Sequence, residues 1–143
     1  MTSYRTQLVI ELPMVREASG PSIGQARMVA ELCKDMENFP QECFVVWSLD
    51  QKNKVIDKHM IAIGSLTGCL VHPREVYRPA LLDGAAAVFF IHNHPSGDPK
   101  PSADDIDLTA RLVNGARLLG LRVLDHVVVG RGRFFSFVEE GLI

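Results

Sequence analysis

The chain has no marked excess of either charge: 15 Lys and Arg stand against 17 Asp and Glu, a net charge of -2. That balance argues against a surface built to coat nucleic acid, so any association with DNA is expected to be weak and salt-dependent. Cysteine is scarce. Cys33, Cys43 and Cys69 are odd in number and show no C-x-x-C spacing, which argues against a disulfide framework and a cysteine-based zinc knuckle and fits a reducing, cytoplasmic setting. No apolar run approaches the roughly 18 residues of a membrane span. The start, Met1-Thr-Ser-Tyr-Arg-Thr-Gln7, lacks the apolar centre of a signal peptide, and no membrane partner is expected. Internal repeats and low-complexity segments are missing too. What remains is 143 residues, 47% of them hydrophobic, about one domain of chain able to bury an ordinary core.

Local patterns divide that chain. After a short apolar stretch, Leu8 to Leu12, the periodicity predicts a helix from about Ser22 to Met36. It ends before Asn38-Phe-Pro40, so residues 1–38 read as an N-terminal appendage with a short helix, and 39–143 as the main domain. Cys43 to Leu49 and Lys54 to Ile63 flank the turn Asp50-Gln-Lys-Asn53 as a β-hairpin. Pro73 suits a first helical position, and the helix it opens closes at Asp83-Gly84. Ala85 to Ile91 is continuously apolar, as a strand buried on both faces would be. Residues 95–101 hold too much Pro and Gly for regular structure, and a long helix then runs from Ser102 to Leu119, stopped by Gly120. Arg122 to Val129 and Phe134 to Val138 are two further strands. The fold class is α/β, a mixed β-sheet with flanking helices. Its strand–helix–strand unit over residues 85–129 makes two strands parallel, and ligands in such sheets gather where strands end and helices begin.

At that place stand His92 and His94, two apart, which a strand's period of two points to one side. A pair of loop histidines facing water would share that spacing, so a third ligand is needed. The following helix offers one. At about 100° per residue, Leu108, Thr109, Leu112, Ala116 and Leu119 fall within roughly 60° of Asp105, whereas Asp104, Asp107, Arg111 and Asn114 lie opposite. A carboxylate in an apolar face is costly unless it is paired or binds a metal. Ser102 fits an N-cap, with acids following in the first turn. Two His and one Asp with a fourth position open is the ligand set of a hydrolytic zinc centre, where the ion makes a water acidic.

The run His92-Asn-His94-Pro-Ser-Gly-Asp-Pro-Lys-Pro-Ser102-Ala-Asp-Asp105 resembles the H-x-H-x(7)-S-x-x-D signature of JAMM (MPN+) metalloproteases, in the form found in bacterial RadC-like proteins. The likeness extends through Val71 to Ala80 and Leu124 to Gly130, covering roughly residues 38–140. The resemblance implies a JAB/MPN-like, deaminase-like layered sandwich in which His92, His94 and Asp105 bind zinc. It also implies that Ser102 orients the water or steadies the oxyanion, and that an upstream Glu is the general base. Glu42, at the start of a strand, is the choice for that base, although an acid after Pro40 could equally be a solvated strand entrance. Glu75 is the rival, on a helix face shared with Arg74 and Arg78. His72 and His126 read as structural or as supporting the ligands, and His59 as a strand-surface residue. Longer RadC-like proteins carry an N-terminal helix-hairpin-helix region that about forty residues do not hold, which weakens the implied link to DNA repair.

The leading expectation is therefore a zinc metallopeptidase acting on a protein or peptide substrate. The competing one is a non-catalytic zinc-binding module that recognises a protein or DNA in repair or anti-restriction. A zinc deaminase is excluded by the missing P-C-x-x-C, and the HNH nucleases space their signature residues far more widely.

Overall fold

The computed structural model describes residues 16–64 and 70–143. The apolar stretch Leu8 to Leu12 and Cys69 lie outside them. Helix α1 (Ala26–Leu32) passes into a 3-10 turn (Lys34–Asn38) and the hairpin β1 (Cys43–Leu49) and β2 (Val55–Ile63). Helix α2 (Pro73–Leu82), β3 (Ala87–Asn93), α3 (Ala103–Leu119), β4 (Arg122–Val129) and β5 (Phe134–Ser136) complete the order. One sheet runs β2-β1-β3-β4-β5, with β3 and β4 parallel and every other neighbouring pair antiparallel. This is the mixed sheet with flanking helices that the sequence predicts.

The pleat sorts side chains to two faces. Odd positions of β1 and β3 (Val45, Trp47, Leu49, Phe89, Ile91) pack with Ile23, Ala26, Val29, Cys33 and Met36 of the N-terminal segment. Even positions (Phe44, Val46, Val88, Phe90) pack with Val76, Tyr77 and Ala80 of α2 and with Leu112 and Ala116 of α3. Every residue of β1 and of β3 is buried, because helices cover both sides.

Residues 16–38, the described part of the segment expected as an N-terminal appendage, pack as one layer of the core. Three expectations are corrected. The single helix expected from Ser22 to Met36 is two pieces; in a 3-10 turn, residues three apart eclipse, so the tightening after Leu32 turns both Cys33 and Met36 inward. β5 stops at Ser136 instead of Val138, because the Val138 N–H donates to Asp125 Oδ1 and the Glu139 N–H to Ser136 Oγ. On α3, Thr109, Leu112 and Ala116 are buried as the helical phase predicts, whereas Leu119 in the last turn is exposed.

The fold brings three element ends to one pole. β1 and β3 pair antiparallel with Phe44 opposite His92. Continuing that register by two residues sets Glu42, just before β1, opposite His94, just after β3, on the α3 side of the sheet. Helix α3 begins beside them.

Candidate metal centre

The ligand atoms of Glu42, His92, His94 and Asp105 all lie within 4.8 Å of one another. Strand pairing supplies the two histidines. Their Nε2 atoms are 3.0 Å apart, on a buried His92 and a largely buried His94. Helix capping supplies the carboxylate. Ser102 Oγ accepts from the Asp105 N–H at 3.1 Å, and Asp105 Oδ2 accepts from the Ser102 N–H at 2.8 Å. This capping box turns the Asp105 side chain back over the helix start, with Oδ2 3.1 Å from His94 Nε2 and Oδ1 3.5 Å from His92 Nε2. The bond to Ser102 uses an oxygen lone pair, leaving the hydroxyl hydrogen of this exposed residue available.

These distances fit a metal ion. Two ligands each about 2.0–2.1 Å from a tetrahedral ion lie about 3.3 Å apart, close to the separations among His92, His94 and Asp105. Glu42 Oε1 lies 3.6 Å from His92 Nε2, about as near as Asp105 Oδ1, and further from His94 Nε2, at 3.9 Å. His94 Nδ1 donates to the Asp98 carbonyl at 2.8 Å, so its Nε2 keeps a lone pair for the centre. Burial on its own would raise the Asp105 pKa, but contacts with the His92 and His94 rings outweigh it and hold the carboxyl well below its usual range. Burial likewise opposes a charge on His94, yet the Asp105 carboxylate and the Asp98 carbonyl outweigh it and raise its pKa. The site thus attracts a cation, and a proton is the one nearest to hand.

Two supporting residues carry no clear sequence signal. Asn93, between the histidines, accepts from the Cys43 N–H at 2.8 Å and donates to the Gln41 carbonyl at 3.0 Å, bracketing Glu42. His126, on β4, is fully buried with Nε2 2.7 Å from His92 Nδ1; burial lowers its pKa well below the ordinary value, so it is neutral. From the sequence His126 reads as structural or as supporting the ligands, and the structure gives its partner, His92.

Other candidates fall elsewhere. Glu75 is half-exposed on α2, beside Arg74 at 3.7 Å and Arg78 at 3.6 Å, and does not join the cluster. His72 is the N-cap residue of α2. His59 is not a free strand-surface residue: its Nε2 bonds Asp83 Oδ2 at 2.6 Å. Asp57, His59 and Asp83 also converge, but Arg16 Nη1 already lies 2.6 Å from Asp57 and 3.0 Å from Asp83. There the protein provides its own cation; at the first cluster no Lys or Arg pairs with Glu42 or Asp105 among the described residues.

The family model for the RadC-like JAB domain matches residues 23–142, α1 included. A UPF0758 protein of Methanosarcina barkeri is 46% identical over 108 residues, 76% of this chain and 47% of the relative. One from Trichlorobacter lovleyi is 52% identical over 103 residues, covering 72% and 45%. One from Desulfitobacterium hafniense is 43% identical over 132 residues, covering 92% and 56%. The chain spans about half the length of these curated relatives, whose shared name states no activity. Among the described residues no helix is long and apolar enough to cross a membrane.

Proposed function

This chain belongs to the RadC-like JAB domain family, and on that premise we propose that it is a zinc-dependent metallopeptidase that hydrolyses a peptide or isopeptide bond. The observation that carries the reading is the convergence of two imidazoles and one carboxylate at tetrahedral ligand spacing, with a second carboxylate beside them. Zinc bound there would acidify water and polarise a carbonyl. His92, His94 and Asp105 would hold the ion, while Glu42 takes the proton of the attacking water and passes it to the leaving amine. The Ser102 hydroxyl, unspent as a donor, would face the oxygen on which negative charge develops. An adaptor has no use for a second carboxylate, Glu42, held beside the three residues that would bind the ion, which favours the enzyme over the recognition module.

The test is cleavage of peptide and lysine-linked isopeptide libraries by the purified protein. Activity should vanish on chelation and return with zinc. Binding to library members at full zinc occupancy with no cleavage of any would overturn the enzymatic reading in favour of the recognition module.

A further inference from the structure

Behind His92 the core holds a line of polar contacts that the proposed reaction leaves unused. His92 Nδ1 lies 2.7 Å from His126 Nε2, and His126 Nδ1 lies 2.7 Å from Thr109 Oγ1. Thr109 Oγ1 lies 2.7 Å from the Asp105 carbonyl, one turn back along α3. His126 is fully buried and Thr109 nearly so, with Phe44, Phe90 and Phe137 around the His126 ring. The far end of this line fixes the direction of every bond in it.

A carbonyl oxygen can only accept, so the Thr109 hydroxyl donates to Asp105. Its one hydrogen is then spent, and towards His126 the same oxygen can only accept. The ring hydrogen of His126 therefore sits on Nδ1, and its Nε2 carries a lone pair. That lone pair accepts from His92, whose hydrogen sits on Nδ1. His92 is left with a bare Nε2, the atom 3.0 Å from His94 Nε2. The reverse direction would leave the Thr109 and Asp105 oxygens 2.7 Å apart with no hydrogen between them. It would also put a proton on the His92 nitrogen that has to face the ion.

We propose that Thr109 is a positioning residue for the metal centre: acting through His126, its hydroxyl fixes the tautomer of His92, so that the neutral ring carries its hydrogen on Nδ1 and its lone pair on Nε2. Asp105 thereby serves at both ends, its carboxylate at the centre and its carbonyl as the anchor of the relay. One helix turn sets the position of one ligand and the tautomer of another. The consequence for metal affinity rests on the metal-centre reading above; the tautomer itself does not.

The test uses the full chain and two variants, Thr109→Val, which keeps the shape and removes the hydroxyl, and Thr109→Ser, which restores it. Nitrogen NMR spectra of the histidine rings in metal-free protein should show the hydrogen of His92 and of His126 on Nδ1 in wild type. Thr109→Val should move or mix those tautomers and weaken zinc binding about 10- to 100-fold, as loss of a partner behind a ligand does. Thr109→Ser should recover both. A wild-type His92 with its hydrogen on Nε2 would overturn the proposal, as would a Thr109→Val spectrum identical to wild type. The wild-type spectrum decides the assignment even if Thr109→Val does not fold. If the tautomers behave as stated but wild type binds no zinc, the metal-centre reading fails and the relay stands.

Discussion

Replacing Gly130 with alanine should weaken both the fold and metal binding without touching any ligand. A Cβ at this position would lie 2.5 Å from the Gly97 carbonyl oxygen, 2.7 Å from Pro99 Cδ and 2.9 Å from Pro99 N. These neighbours are backbone and ring atoms with no rotamer to change. Ordinary carbon contacts sit at about 3.5–4.0 Å, so the loop over residues 95–101 must move by roughly 1 Å. Overpacking of this kind costs about 1–3 kcal/mol, or roughly 3–10 °C in Tm for a chain of this size. The same loop carries the Asp98 carbonyl, which accepts from His94 Nδ1 at 2.8 Å. A shift of about 1 Å takes that contact beyond hydrogen-bond range, and losing the partner that orients a ligand should lower zinc affinity about 10- to 100-fold. Thermal unfolding of the metal-free protein reads the first effect, and zinc titration against a competing chelator reads the second. Gly24→Ala is the control, since a Cβ there meets nothing within 4 Å, and its stability should stay within about 0.5 kcal/mol of wild type. A destabilised Gly130→Ala that still binds zinc as tightly as wild type would refute the link from loop packing to His94. A Gly130→Ala as stable as wild type would refute the packing argument itself.

Glu42→Gln should lower turnover of any substrate the wild type cleaves by about 10²–10⁴ while zinc content holds; zinc loss as large as that caused by removing Asp105 would make Glu42 a ligand instead of a base. Glu75→Gln should leave turnover close to wild type, and loss of activity there alone would move the base to α2. Asp83→Asn tests the network of Arg16 and His59 by its pH dependence. Burial on its own would raise the Asp83 pKa, but His59 and Arg16 outweigh it and lower it, so its contribution is present above the ordinary carboxylate pKa of about 4 and fades as the pH falls through the folded value. The substitution should cost about 1–3 kcal/mol at neutral pH, and the gap to wild type in denaturant unfolding should narrow below about pH 4; a gap constant into acid would contradict the assignment.

Much of the centre was legible because its signals are local. The period of two that joins His92 to His94, the helical phase of Asp105 and the N-cap at Ser102 each span a few residues of chain, and a continuous apolar run marks β3. What needed the structure depends on pairing between distant segments. Nothing near Glu42 says that β1 runs antiparallel beside β3; only the register of Phe44 with His92 brings it to the histidines, and the choice of Glu42 over Glu75 rested on resemblance until then. His126 lies on a strand whose parallel pairing with β3 sets it opposite Phe90, a contact no periodicity reports. The burial of Ile23 and Val29 was hidden for a similar reason: a short helix shows its apolar stripe, but not which sheet face it covers.

A metal centre built from His92, His94 and Asp105 is open to elemental analysis of the purified protein. Wild type should carry about one zinc per chain. Asp105→Ala should lose most of it, because the carboxylate between the two imidazoles is gone. Asp104→Ala should lose hardly any, since its neighbouring side chain is exposed on the opposite side of α3. Equal loss in both variants, or zinc retained in both, would mean that Asp105 is not a ligand of the metal.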